Sequence, residues 1–235
     1  SNDRNPSFLL DGSAGDLTIP TNITFQTSNQ RAGAIINVAG NNTILGNIVL
    51  TTGDGPTHIW SNDGKLTISG NISPNATSRV LYFRGDGEGE VSGIIANGST
   101  TTGLPVYRDK GTGVWTLSGA NTYSGSTTVS AGSLALAGSN GTINQSVSLS
   151  LSAGAALLVT NSATANHADR INDSATLTLD NASFVFANDG SAGDFRETVG
   201  TLAVAGGVAT VATSQAAEGG TNTLTFGSLS RNPGG

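Results

Sequence analysis

A short, glycine-bracketed phrase of alternating apolar residues recurs along the 235-residue chain. Its form is Gly-x-apolar-x-apolar-x-Gly, and its early copies, some of them imperfect, begin at Gly15, Gly40, Gly64, Gly87 and Gly113. Later copies, some of them weaker, contain Leu134, Leu149, Leu177, Leu202 and Leu224. The starts of the early copies are separated by 25, 24, 23 and 26 residues, which lies within the range of periods found in solenoids and other repeat proteins. The chain is therefore predicted to fold by stacking one copy on the next.

Each copy of the phrase predicts a short β-strand. Apolar residues alternate with small or polar residues, as in Leu66, Thr67 and Ile68, and this period of two places the apolar side chains on one face of a strand. The flanking glycines permit the positive φ angles that tight turns require. No convincing amphipathic helix appears in the sequence, so we expect an all-β fold.

One strand pair per copy cannot bury its apolar face alone, but stacked copies bury a continuous core. Because parallel crossovers are almost always right-handed, the sequence predicts a right-handed parallel β-helix (β-solenoid) over residues 1–235, with about ten rungs of roughly 24 residues. At about 4.8 Å per rung the rod would be roughly 50 Å long. An antiparallel sandwich is the alternative fold, because it also has short strands at regular spacing.

Equivalent positions of the copies predict three columns of stacked side chains. The first inward column is Leu17, Asn42, Leu66, Gly89 and Trp115. The second inward column is Ile19, Ile44, Ile68, Val91 and Leu117. A column on the following short strand is Ile23, Ile48, Ile72 and Ile95. We expect Asn42 to bond in a side-chain ladder, and the Trp115 ring to fill the space that Gly89 leaves.

Composition excludes several classes of function. The formal net charge is -6 and only 11% of residues are charged, which argues against a nucleic-acid-binding surface or binding to anionic membranes. The chain has no Cys, so disulfides and thiolate chemistry are excluded. It also has no Met, even at position 1, and we therefore expect an internal segment of a longer chain. No apolar run approaches the ~20 residues of a membrane-spanning helix, so we expect no membrane insertion.

Residues 111–134 carry a specific motif, with Trp115, Leu117, Asn121 and Tyr123 set among regularly spaced glycines. The stretch closely resembles the autotransporter-associated β-strand repeat, also called the passenger-associated transport repeat. This resemblance implies a β-helical passenger of a large secreted bacterial protein, located outside the cell or on its surface, and it implies no catalytic residues. From the residues, we expect Trp115 and Leu117 in the core and the Tyr123 hydroxyl at the rim.

The acidic run Asp86, Glu88 and Glu90 is the most distinctive charged feature. Its period of two places the three carboxylates on one side of a strand. They are predicted to form a solvated outer face with Arg84 or Lys65 as counter-charge. The alternative is a polysaccharide-cleaving site that uses paired carboxylates, with Tyr82, Phe83 and Tyr107 as nearby aromatic residues.

The histidines His58 and His167 lie far apart in the sequence. Without a third ligand or a nucleophile motif, they are predicted to be surface residues with satisfied hydrogen bonds rather than ligands or catalysts. We therefore predict no catalytic, cofactor-binding or metal-binding residues and no cofactor.

The leading functional hypothesis is a structural or adhesive segment of a bacterial surface protein, not an enzyme. The end rungs, near residues 16–19 and 224–226, would offer unpaired strand edges to flanking repeats or to a second copy, which would build an extracellular filament. Surface glycans are a further possible partner. The alternatives are a polysaccharide-active enzyme that uses Asp86, Glu88 and Glu90, and a trimeric phage fibre.

Overall fold

A computed structural model describes residues 7–27, 30–51, 55–99, 103–190, 192–216 and 220–231. The described residues form β-strands, turns and irregular segments without an α-helix. Accordingly, none of them belongs to a helix long and apolar enough to cross a membrane. All of the strands belong to three sheets.

The two long sheets contain ten and nine strands and the third contains three. The first sheet consists of β1 (Phe8–Asp11), β4 (Gln30–Ala39), β7 (Thr57–Ser61), β10 (Leu81–Arg84), β12 (Val106–Lys110), β14 (Thr127–Val129), β16 (Ser148–Ser152), β18 (Thr176–Asp180), β20 (Gly193–Gly206) and β22 (Gly220–Arg231). The second consists of β2 (Thr18–Ile19), β5 (Asn41–Ile44), β8 (Lys65–Ile68), β11 (Glu88–Val91), β13 (Val114–Leu117), β15 (Ser133–Leu136), β17 (Ala156–Asn161), β19 (Ser183–Asn188) and β21 (Thr210–Gln215). The third consists of β3 (Phe25–Thr27), β6 (Ile48–Leu50) and β9 (Ile72–Pro74).

The chain winds from one sheet to the next, and each strand inside a sheet pairs in parallel with its equivalents in the turns before and after. Parallel pairing of equivalent strands is the arrangement of a β-solenoid, so the predicted fold class is confirmed. The first sheet stacks ten strands and the second stacks nine, so the number of turns is close to the ten rungs predicted.

Some of the later phrases belong to the first sheet rather than the second, because both long sheets carry the same alternating apolar pattern. The phrases at Leu149 and Leu177 lie in strands β16 and β18 of the first sheet, as does the phrase at Leu202 in β20. They are not further copies of the second-sheet phrase that contains Leu66. The second-sheet strands of those turns are β17, β19 and β21.

The first inward column of the second sheet is confirmed from Asn42 onward. Gly89 pairs with Leu66 on one side and with Trp115 on the other. The column then continues through Leu134, Leu157 and Phe184. These large side chains are at most 1% exposed, and together they fill the interior between the sheets.

Two positions of the first turn differ from the prediction. Ile23 does not join the column of Ile48, Ile72 and Ile95, because Phe25 is the residue that pairs with Ile48. The Ile23 N–H instead closes a turn by donating to the Pro20 carbonyl at 3.2 Å, and the residue is 42% exposed.

Leu17 also departs from the buried position predicted for it. It lies in the first turn, beside the edge strand β2 of the second sheet as the described residues form it, and 38% of its surface is exposed. Its N–H donates to Asn42 Oδ1 at 2.7 Å. Asn42 Nδ2 in turn donates to Asn37 Oδ1 at 2.5 Å and to the Ala39 carbonyl at 2.8 Å. The predicted side-chain ladder at Asn42 is therefore present, and it satisfies an amide that is fully buried.

The turns between the first and second sheets depend on glycine. Gly64 and Gly111 have φ angles of +68° and +90°, which side chains with a Cβ rarely adopt. A Cβ on Gly64 would also lie 2.4 Å from the Gly40 carbonyl oxygen, and one on Gly111 would lie 2.2 Å from the Gly85 carbonyl oxygen. Glycine therefore allows successive turns to approach at the spacing of hydrogen-bonded strands.

Candidate functional site

Trp115 is the largest fully buried side chain of the described residues. Its ring fills the space beside Gly89, where an added Cβ would lie 2.2 Å from Trp115 Cδ2. The ring also stacks on Phe83 with centroids 4.5 Å apart, and the indole N–H donates to the Arg84 carbonyl at 3.1 Å. The predicted filling of Gly89 by Trp115 is therefore confirmed, and the role of the tryptophan is structural.

Asn121 and Tyr123 hold the corner that follows Trp115. Asn121 Oδ1 accepts a hydrogen bond from the Ile95 N–H at 2.9 Å, and Nδ2 donates to the Thr142 carbonyl at 2.9 Å. Tyr123 is fully buried, and its hydroxyl lies 2.8 Å from Thr127 Oγ1. The prediction that this hydroxyl lies at the rim was wrong. The next turn covers it, and burial raises the pKa of Tyr123 far above its usual value.

The acidic run lies on the outside of the second sheet, as predicted. Glu88 is exposed and Glu90 is half-buried. Lys65 Nζ donates to Glu90 Oε2 at 2.6 Å, and the Ser118 hydroxyl donates to Oε1 at 2.8 Å. Burial raises the pKa of Glu90, but the hydrogen bonds from Lys65 and Ser118 outweigh it, so the pKa lies below its usual value. Lys65 is therefore the counter-charge, and Glu90 is held as a carboxylate.

Asp86 precedes strand β11 and also acts as a structural acceptor. Both the Thr112 N–H and the Thr112 hydroxyl donate to its Oδ1, at 2.8 and 3.1 Å. These two bonds lower the pKa of Asp86, the backbone bond most. A general acid at neutral pH needs a raised pKa, and the pKa values of Asp86 and Glu90 are instead lowered.

The aromatic residues suggested for a saccharide cleft lie on a different sheet from these carboxylates. Phe83 is fully buried in the core. Tyr82 and Tyr107 are half-buried on the outer side of the first sheet, in strands β10 and β12, whereas Glu88 and Glu90 belong to the second sheet. The structure therefore does not bring the acidic run and the tyrosines together.

The outer side of the first sheet carries an aromatic and ionic cluster that we define as His58, Tyr82, Arg84, Tyr107 and Asp109. The tyrosine rings stack with centroids 4.7 Å apart and an interplanar angle of 16°. The His58 ring contacts Tyr82 edge-on at 4.9 Å. The Arg84 guanidinium lies over the Tyr82 ring at 4.8 Å, which is a cation–π geometry.

Of the two counter-charges predicted for the acidic run, Lys65 is confirmed and Arg84 is not, because Arg84 pairs with Asp109. Its Nε and Nη2 donate to the two carboxylate oxygens of Asp109 at 2.6 and 2.5 Å. Its Nη1 lies 3.1 Å from His58 Nδ1. The Arg84 side chain is 9% exposed and that of Asp109 is 19% exposed. The ion pair is therefore bidentate and shielded, and it gives the cluster no net charge.

The sequence contained a signal for this cluster. Spacings of 24 and 25 residues separate His58, Tyr82 and Tyr107, and these spacings match the repeat period. Parallel stacking of equivalent strands therefore places the three side chains next to one another. His58 is consequently 4% exposed, which corrects the prediction of a surface histidine. Among the described residues no group of three His, Cys, Asp or Glu side chains has the geometry of a metal site.

Two further buried charges have structural partners. Arg108 points into the core between Phe83 and Val129, and its guanidinium donates to the Lys110, Gly85 and Gly113 carbonyls. Arg170 is fully buried and donates to the carbonyls of Gly138, Gly141 and Ala165 at 2.7, 2.7 and 2.9 Å. These side chains stabilise corners of the solenoid by donating to backbone carbonyls.

Glu197 is the one strongly perturbed carboxyl in this region. It is 1% exposed, and its two oxygens accept from the Arg170 and Ile171 N–H groups at 3.1 and 3.0 Å. Burial raises its pKa to about 7, against the opposing effect of these two bonds. The carboxylate replaces the carbonyls that a neighbouring strand would supply, and no sequence pattern predicted this role.

Comparison with known proteins gives one family match. The model of the passenger-associated transport repeat matches residues 109–136, which contain the stretch 111–134 identified from the sequence. Comparison with curated proteins and with solved structures returned no significant match. The matched segment covers strand β13 and the corner residues Asn121 and Tyr123, whose structural roles are described above. The β-solenoid therefore contains a passenger-associated transport repeat, and repeat and fold together fit an autotransporter passenger β-helix.

Proposed function

We propose that the chain is a structural segment of a secreted bacterial surface protein, in which the solenoid acts as a stiff spacer that carries adhesive surfaces. The observation that supports this role most directly is the passenger-associated transport repeat lying within an uninterrupted parallel stack. In such a stack each turn supports its neighbours, so length and stiffness come from repetition rather than from a single globular core.

Hydrogen bonds from side chains reinforce the stack along its length. Asn47 and Asn71 each accept an N–H from the following turn, at 2.9 Å in both cases. Asn121 and Glu197 instead accept N–H groups of the preceding turn, from Ile95 and Ile171. Groups that join adjacent turns resist both bending and separation of the turns, which is the property that a spacer needs.

The location can be tested on intact cells of the source organism with antibodies raised against this chain. We expect labelling without permeabilisation, and we expect brief external protease treatment to remove it. An antibody against a cytoplasmic protein, which should label only permeabilised cells, is the control. Labelling that appears only after permeabilisation would contradict a surface location.

End-to-end assembly into a filament is the second candidate, because apolar side chains are exposed in both end turns. Phe8 is 38% exposed in β1 although its paired neighbour Ile35 is fully buried, and Leu229 is 71% exposed in β22. Leu229 continues an inward column of the first sheet through its pairing with Leu202, so a further turn would cover it. Negative-stain images of the purified chain over a range of concentrations distinguish single particles, filaments and trimers.

The polysaccharide-active enzyme remains an alternative with less support. It requires paired carboxylates next to exposed aromatic rings, whereas Glu90 is bonded to Lys65 and the tyrosines belong to the other long sheet. An assay for reducing ends released from soluble polysaccharides tests this alternative directly, and a structural segment should give no activity.

A further inference from the structure

We propose that the outer face of the first sheet binds a neutral saccharide at the step between Tyr107 and Thr128. This inference rests on the adhesive part of the proposed function and names the class of ligand for it. The site is formed by an aromatic wall, a floor of small hydroxyl side chains and a neutral ion pair beside them. Thr128 and Asp109 lie within the segment matched by the family model, whereas Tyr107 and Arg84 lie outside it.

The Tyr107 ring is the wall. Tyr82 covers one of its faces, because the two residues are paired neighbours whose rings stack at 4.7 Å. The opposite face is directed along the solenoid axis toward the next strand, where the paired residue is Thr128. Tyr107 is half-buried and its ring has no other aromatic neighbour among the described residues. One face of the stack is therefore available to a ligand.

The wall is rigid before any ligand binds. Tyr82 is held by the His58 ring at 4.9 Å, by the Arg84 guanidinium at 4.8 Å and by Tyr107 itself. A preorganised ring loses little conformational freedom on binding, which favours affinity.

Small side chains form the floor. The column that begins with His58, Tyr82 and Tyr107 continues with residues that are small, uncharged and partly exposed. These residues are Thr128, Ser150, Thr178, Ala203 and Ser230. After Tyr107 the outward side chains are therefore much shorter than a tyrosine ring. This difference in length leaves a ledge beside the ring, and each turn adds one strand spacing, about 4.8 Å, to its width.

The chemistry of the ledge matches a sugar ring. Aromatic faces carry partial negative charge and attract the C–H groups on the flat side of a sugar. The Thr128 and Ser150 hydroxyls both donate and accept hydrogen bonds, as sugar hydroxyls do. Asp109 is 19% exposed and paired with Arg84, so it offers polar atoms without net charge. A neutral ligand suits this surface, and the net charge of -6 disfavours an anionic one.

The test is isothermal titration calorimetry of the whole chain with neutral hexasaccharides of β-1,4-glucan, β-1,4-mannan and β-1,4-xylan, and with hexagalacturonate as the anionic comparison. We expect binding of at least one neutral hexasaccharide and weaker binding of hexagalacturonate. Absence of binding by all three neutral ligands at millimolar concentration would overturn the proposal, as would preferential binding of hexagalacturonate.

Two opposite variants locate the site. Tyr107→Ala removes the wall and should weaken binding about tenfold, the effect of losing one good stacking contact. Thr128→Tyr extends the aromatic stack over the ledge and should abolish binding while preserving the fold, so the test survives if Tyr107→Ala unfolds.

Thr116→Ala changes an outward threonine of the second sheet and should leave affinity unchanged. Unaltered affinity in Thr128→Tyr would place any saccharide elsewhere and refute this site, without bearing on surface location.

Discussion

Individual polar side chains of this protein join successive turns of the solenoid. Asn121 bonds at once to the turn before it, through the Ile95 N–H, and to the turn after it, through the Thr142 carbonyl. A buried amide that lost these partners would cost about 1–3 kcal/mol. The fold therefore depends on residues that a hydrophobicity pattern treats as interruptions.

Glu197 is the residue whose environment has the clearest consequence for stability. Its pKa is about 7 in the folded protein, against an ordinary value of 4.5. Asp169 raises this pKa and Arg170 lowers it, while burial has the largest effect. The folded state therefore favours the protonated carboxyl. This favourable contribution is complete below pH 4.5 and is lost as the pH rises through 7.

We predict that wild-type protein loses about 3 kcal/mol of unfolding free energy through this group between pH 4.5 and pH 8, and that Glu197→Gln lacks this loss. The measurement is urea unfolding at several pH values. His167, whose pKa is lowered by burial and by Arg170, contributes a slope of opposite sign that is common to both proteins. Glu88→Gln, at an exposed carboxylate, is the control and should follow the wild type. An identical pH slope in Glu197→Gln and wild type would contradict the assignment.

At the scale of elements, the structure depends on the register between neighbouring strands. Gly89 in β11 and Trp115 in β13 fit each other, because a Cβ at position 89 would lie 2.2 Å from the indole. We predict that Gly89→Ala destabilises the protein by about 1–3 kcal/mol through overpacking. In a Trp115→Leu background the same change should cost much less.

A double-mutant cycle measures this coupling from chemical denaturation of the four proteins. The matched control is a second cycle of Gly89→Ala with Leu177→Ala, a fully buried residue in the first sheet, which should be additive within about 0.5 kcal/mol. Additivity in both cycles would show that Gly89 and Trp115 are not in contact.

The register of the second sheet could be predicted from the sequence because residue type recurs at equivalent positions. Leu66, Gly89 and Trp115 occupy one place in successive phrases, and parallel stacking brings them together. The assignment of Leu149 and Leu177 to the same series failed because alternation reports which side of a strand is apolar, not which sheet the strand belongs to.

The outer cluster could be predicted only in part. The spacing of His58, Tyr82 and Tyr107 implies a stack once parallel pairing is known. The pairing of Arg84 with Asp109 depends instead on the register shift that sets Arg84 opposite Lys110, and no sequence period encodes such an irregularity. The role of Glu197, a strand residue that accepts the Arg170 and Ile171 N–H groups, is likewise fixed by tertiary geometry.

At the scale of the whole molecule, parallel stacking explains the family repeat, the buried columns and the outer face together. It makes position along the axis proportional to turn number, so residues far apart in the sequence lie at regular distances. Thr43, Thr67, Glu90 and Thr116 occupy successive places in one outward column of the second sheet. The column continues through Ala135 and Leu158 to Val185.

The chain has no cysteine, so pairs of introduced cysteines can carry spin labels at chosen positions without a background signal. The most direct test is the electron paramagnetic resonance distance in two variants, Thr43→Cys with Thr116→Cys and Thr43→Cys with Val185→Cys. Three and six strand spacings predict about 14 and about 29 Å between the labelled positions. A second distance about twice the first is the result expected for parallel stacked turns. Equal distances, or a shorter distance for the pair more widely separated in sequence, would contradict a parallel β-solenoid.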